Sequence, residues 1–171
     1  MDNTLVVCYS YTGTGLRAAR LLSSHHGWAL AEIRDVGSRG TLRCVLDSLL
    51  RRRPEIRYDG PPPSDFRTVV LVAPVWMYRL AGPMRSFVAR YRDHLPRAAV
   101  IATMNSGGAT NVFREVADIL GHGLVRGAAF KARALEDGSS TGDLLDFGKG
   151  LGARPVPVAA SGQSLWALPM D

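Results

Sequence analysis

The chain has 171 residues, 46% of them hydrophobic and 21% charged, the make-up of one globular domain long enough to bury a core. Nowhere do about 20 apolar residues run together, which excludes a membrane-spanning helix, and the opening MDNTLVV lacks the basic flank of a signal peptide, so a cytoplasmic location is expected. The formal net charge of +6 rests almost wholly on dispersed arginines, Lys131 and Lys149 being the only lysines, and without a recognisable nucleic-acid module this argues against a nucleic-acid partner.

In chain order, the first feature is VVCYSYTGTG at residues 6 to 15, where an apolar β-branched run stops at Ser10 and becomes a loop of hydroxyls and glycines. A helical pattern follows at once, with Leu16, Ala19 and Leu22 on one face and Gly27 as its stop. A strand, a Gly/Ser/Thr loop and a helix start together present backbone N–H groups and a helix dipole to a phosphate. The loop carries no lysine, so a triphosphate-binding P-loop is excluded and a neutral cradle for a terminal monophosphate remains. Ser10, Thr12 and Thr14 can donate O–H bonds, and Gly13 and Gly15 let the main chain come close.

Residues 29 to 33 form a short second strand, and 41 to 52 carry Leu42, Val45, Leu46 and Leu49 at helical spacing. Arg51 to Arg53 close that helix, where cations complement its dipole and face solvent; a docking patch for an acidic partner or a dinucleotide phosphate is the competing reading. Residues 53 to 67, rich in proline, read as an irregular connection. TVVLVA at 68 to 73 has the continuous apolar character of a central parallel strand. Pro83 suits the first turn of a helix whose face is Met84, Phe87, Val88 and Tyr91. A further buried strand, AVIAT at 99 to 103, precedes a helix capped by Asn111 and stopped at Gly121. A weaker strand at 125 to 133 and a last helix marked by Leu144, Phe147 and Leu151 complete the domain. Cys8 and Cys44 lack CxxC spacing and read as small buried hydrophobes, and His25 and His26 as solvated or carbonyl-capping groups at a helix end.

Strands alternating with helices predict an α/β doubly wound sheet, in which ligands bind at the carboxyl ends of the strands at a topological switch point. Three loops fall there: SYTGTG, PVWMYRLAGP and TMNSGGA. The first suits a phosphate, the second offers Trp76 and Tyr78 as flat apolar surfaces, and the third has small residues whose backbone can reach ring heteroatoms. A phosphate monoester joined to a planar heteroaromatic ring would use all three. No His/Cys/Asp/Glu cluster has metal spacing and no Ser/His/Asp set can be assembled, so the chemistry belongs to a bound cofactor.

With these residues, VVCYSYTGTGLRAARLL, TLRCVLDSLLRRRPEI, VVLVAPVWMYRLAGPMRSFV and AVIATMNSGGATNVFREVADILG, the chain resembles the flavodoxin-like family of FMN proteins over most of residues 4 to 121. The resemblance implies a three-layer α/β sandwich with a five-stranded parallel sheet in the order 2-1-3-4-5, filling residues 1–154. Residues 155–171 would form a tail packed on the domain or on a partner subunit of a homodimer. It implies FMN as cofactor, its phosphate held by Ser10, Tyr11, Thr12, Gly13, Thr14 and Gly15. The ring would lie among Pro74, Val75, Trp76, Met77, Tyr78, Thr103, Asn105, Ser106, Gly107 and Gly108. Gly15 stands where the family commonly has threonine, and Tyr78 where a flexible glycine is common beside the flavin. The rival reading is a dinucleotide fold, since Gly13-x-Gly15-x-x-Ala18 fits a G-x-G-x-x-A pattern with Glu32 or Asp35 beyond it, but Ser10, Tyr11 and Thr12 intervene before the first glycine. The expected activity is electron transfer from NAD(P)H to a quinone-like or other small acceptor. The alternatives are a non-catalytic one-electron carrier and a flavin-free interaction module.

Overall fold

The computed structural model describes residues 3–36, 50, 52–95 and 97–151. Its first unit is β1 (Thr4–Cys8), α1 (Thr14–His26) and β2 (Ala29–Asp35), followed by β3 (Ile56–Tyr58) and β4 (Thr68–Trp76). Then come β5 (Arg79–Leu80), α2 (Gly82–Tyr91), β6 (Ala98–Met104), α3 (Ala109–Leu120), β7 (Arg126–Lys131), α4 (Ala132–Glu136) and α5 (Thr141–Lys149). Strands β2, β1, β4, β6 and β7 lie side by side and parallel, which is the order 2-1-3-4-5 that the family resemblance implies.

The sheet nevertheless has seven strands, because β3 pairs antiparallel with β2 and β5 pairs antiparallel with β4. Both additions are too short to register as strands in the sequence. The stretch 53–67 is thus not wholly irregular: it contributes the β3 edge and a 3-10 turn at Pro63–Asp65. Asn111 does not cap its helix either. That helix opens at Ala109 behind Gly108, whose left-handed φ of 102° turns the chain out of β6. Of the expected helix over 41 to 52, residues 41–49 with Cys44 and Arg51 lie outside the described residues, as does the tail 155–171.

Alternation along the central strands builds the layers. Leu5, Val7, Val69, Leu71 and Ala73 point to one face and pack with Met84, Phe87 and Val88 of α2 and Val112 and Val116 of α3. Val6, Cys8, Val70 and Val72 point to the other, against Ala18, Ala19 and Leu22 of α1 and Leu144 and Phe147 of α5. Strands covered on both sides must be apolar at every position, which is why β1 and most of β4 read as unbroken runs rather than alternating ones. Cys8 belongs to this core, and burial pushes its thiol up to about 12, so it is an inert packing group. Gly27 and Gly121 end α1 and α3 in left-handed geometry, as their positions predict.

Candidate functional site

From β1 the chain crosses to β2 on one side, and from β4 it proceeds to β6 on the other, so the switch point lies between the carboxyl ends of β1 and β4. The loop leaving β1 runs straight into α1. Gly13 occupies the position before the helix with φ of 90°, a region that L side chains rarely adopt, and no side chain caps the first turn of α1. The first turn also lacks acidic residues, so the positive end of a 13-residue helix has no local counter-charge of its own.

Hydroxyls surround that end. Ser10 Oγ accepts the Gly13 N–H at 3.0 Å, and the Thr12 and Thr14 hydroxyls are 3.3 Å apart. Gly15 is buried against the neighbouring strand end: a Cβ there would lie 3.4 Å from Ser10 Oγ and 3.8 Å from Thr103 Oγ1, which are ordinary contacts. The glycine is therefore not forced by crowding. A group that the sequence reading missed closes the loop from outside: Thr14 Oγ1 donates to Glu136 Oε1 of α4 at 2.7 Å. Nothing in the sequence signals a pair separated by 122 positions.

The second loop is more ordered than expected. Trp76 is the last residue of β4 and pairs with Arg79 of β5, leaving Met77 and Tyr78 as a two-residue hairpin turn with φ of 48° and 60°. Two left-handed central residues define a type I′ turn, which Asn-Gly normally supplies. Met77 and Tyr78 instead hold this backbone with exposed side chains, at a cost of about 1 to 3 kcal/mol each.

Packing on both sides over-determines the turn. Behind it, a Cβ on Gly108 would meet Tyr78 Cα at 2.6 Å, and one on Gly107 would meet the Tyr78 ring at 3.7 Å, so the loop after β6 lies directly against the hairpin. Beneath it, buried Arg85 of α2 donates from Nη2 to the Leu80 carbonyl at 2.8 Å and from Nη1 to the Arg52 carbonyl at 3.0 Å, and pairs through Nε with Glu115 of α3. Glu115 Oε2 in turn accepts the Leu80 N–H at 3.2 Å. The carboxylate and the guanidinium thus pin β5 between two helices.

Trp76 links the first two loops. Its ring meets Tyr11 edge-on at 5.9 Å and buried Tyr9 edge-on at 5.8 Å, while the Tyr9 hydroxyl donates to Asp35 Oδ2 at 2.8 Å. Pro74 faces Thr103 across β4 and β6, and Val75 touches the Gly108 position. Asn105 and Ser106 are exposed in the loop that follows β6. All sixteen candidate residues therefore stand on or beside the carboxyl ends of three adjacent strands, β1, β4 and β6. Among the described residues no group of three or more His, Cys, Asp and Glu side chains could hold a metal, and no helix is long and apolar enough to cross a membrane.

An open, mainly parallel sheet in the order β2-β1-β4-β6-β7 with helices on both faces is the flavodoxin-like fold. Solved structures match it over most of their length. A flavoprotein from Lactobacillus acidophilus in complex with FMN superposes with a TM-score of 0.68 at 17% identity, covering 84% of this chain and 99% of that one. A flavodoxin, WrbA-like protein from Agrobacterium tumefaciens gives 0.58 at 16% identity, covering 91% and 95%. The Fusobacterium nucleatum flavodoxin bound to flavin mononucleotide gives 0.57 at 8% identity, covering 89% and 98%. No family model matches the chain, and no curated protein matches it in sequence. The fold is established by these likenesses.

Proposed function

We propose that the protein binds FMN and uses it to carry electrons from a reduced nicotinamide to a quinone-like or other small acceptor. The observation that carries the reading is the uncapped start of α1, behind left-handed Gly13 and ringed by Ser10, Thr12 and Thr14. Hydroxyls and backbone N–H groups there can take a phosphate dianion with no basic side chain in the loop. The donor set fits the group, with one adjustment: the Thr14 hydroxyl must turn from Glu136 to the phosphate. The neighbours bound to FMN support the same cofactor.

Bound FMN supplies the ring that accepts and releases electrons, and the chain supplies its surroundings. Trp76 and Tyr78 would offer aromatic surface to the ring, and the loop at 105–108 would offer backbone donors and acceptors. The tight seating of the hairpin on Gly108 keeps these two walls in a fixed relation.

Replacing Thr12 with Val removes one donor while keeping the side chain's shape. FMN binding should weaken by about 1.5 to 3 kcal/mol, whereas riboflavin, which has no phosphate, should bind almost unchanged. Fluorescence titration of both flavins measures this, and equal weakening would place the phosphate elsewhere. Steady-state turnover of a reduced nicotinamide with a quinone then separates an enzyme from a carrier that is reduced only through a partner.

A further inference from the structure

Next to the hairpin, on the face covered by α2 and α3, the surface forms a groove of about 640 Å³ whose wall includes Tyr78 and the arginines 53, 79, 92 and 114. These four come from the segment before β3, from β5, from the end of α2 and from α3. Arginines dispersed in sequence thus converge on one concavity.

The groove's acidic groups do not balance them. Glu115 is committed to Arg85 and to the Leu80 N–H, which leaves Asp118 as the remaining carboxylate in the lining. Arg92 lies 3.6 Å from Asp93, but both side chains are more than half exposed, so that pair is weak. Gathering like charges in a concave wall concentrates positive potential, and planar guanidinium forks match phosphate oxygens two at a time. The groove also shares Met77 and Tyr78 with the proposed flavin site, so the two adjoin at the hairpin.

We propose that this groove binds the phosphate-bearing half of the reduced nicotinamide and that its arginines select the 2′-phosphorylated dinucleotide over the unphosphorylated one. The proposal rests on the electron-donor reading above, and its test is kept separate from flavin binding. The probes are adenosine 2′,5′-bisphosphate and adenosine 5′-monophosphate, titrated calorimetrically at low salt into the full chain supplied with FMN.

The bisphosphate should bind about tenfold or more tightly than the monophosphate, since each charge-assisted bond to a phosphate is worth roughly that factor. The double variant Arg53→Gln, Arg114→Gln should weaken the bisphosphate by about tenfold or more and leave FMN affinity, read by flavin fluorescence, unchanged. Equal affinity for the two nucleotides, no binding of either, or binding indifferent to the double variant would overturn the proposal. Poly-glutamate binding without bisphosphate binding would likewise overturn it and assign the groove to an acidic protein. Failure of FMN to bind, with the bisphosphate still held through Arg53 and Arg114, would sink the flavin reading and leave the groove's phosphate specificity standing.

Discussion

Two turns border the candidate site, and both need left-handed backbone. At the start of α1 the need is met by Gly13, with φ of 90° and open space where a Cβ would stand. At the β4 to β5 hairpin it is met by Met77 and Tyr78, for which the same region is unfavourable. The first turn is relaxed and depends on the residue itself. The second is strained and depends on what surrounds it: Gly108 behind, Arg85 and Glu115 beneath. A relaxed turn suits the proposed phosphate cradle, which must form before its ligand arrives, while a strained one puts bulky side chains beside the proposed flavin site.

The largest expected effect follows from removing the support of the strained turn. Arg85→Ala leaves Glu115 without its buried partner and frees β5, and should destabilise the fold by about 3 to 5 kcal/mol in urea denaturation. The paired change Arg85→Met, Glu115→Leu should lose less, because no charge is stranded. Equal losses in both would show that the hairpin does not depend on this ion pair.

Next in size is the relaxed turn. Gly13→Ala meets no clash, so its whole cost is backbone strain, about 1 to 2 kcal/mol in thermal or urea unfolding. The opposite sign is expected at the hairpin, where Met77→Asn with Tyr78→Gly supplies the natural type I′ pair and should raise stability by about 1 kcal/mol. That variant should also lose flavin quenching in proportion to the aromatic wall it removes. If it destabilises the protein instead, the packing of Tyr78 against the loop at Gly108 outweighs the strain.

The smallest effect concerns the cradle's outer side. Glu136→Gln keeps an acceptor for the Thr14 hydroxyl but removes a negative charge from beside the proposed phosphate position. FMN affinity should rise about threefold to fivefold, within the range of a weakly screened surface charge, with riboflavin unchanged. Calorimetry with both flavins distinguishes this from a general change in the site.

The contrast between the turns also explains what the sequence discloses. A glycine between threonines after an apolar run announces its own conformation, and strands buried on both faces announce themselves as apolar runs, so the parallel strands were legible, whereas their order in the sheet came from the family resemblance. The hairpin was not, because Arg79 and Leu80 are too few to show a period and Met77 and Tyr78 are not turn formers. β3 escaped for the same reason of length, and proline-rich flanks hid it. Asn111 looked like a cap because it precedes the apolar face of α3, but Gly108 had already turned the chain. The Arg85 to Glu115 and Thr14 to Glu136 pairs join residues 30 and 122 positions apart, and no local pattern encodes such meetings.

The edge-on clustering of Tyr9, Tyr11 and Trp76 has an optical consequence. Light absorbed by either tyrosine has an indole acceptor within 6 Å, so emission from this corner collects on Trp76. The second described tryptophan, Trp28, stacks on His26 at 4.5 Å beside α5, on the opposite face of the sheet from α2 and α3. Among the described residues there is therefore one built-in lamp at the carboxyl end of β4 and a reference lamp away from it. A ligand entering between the hairpin and the α1 loop should dim the first more than the second, and in a Trp166→Phe background this difference follows site occupancy without any added label.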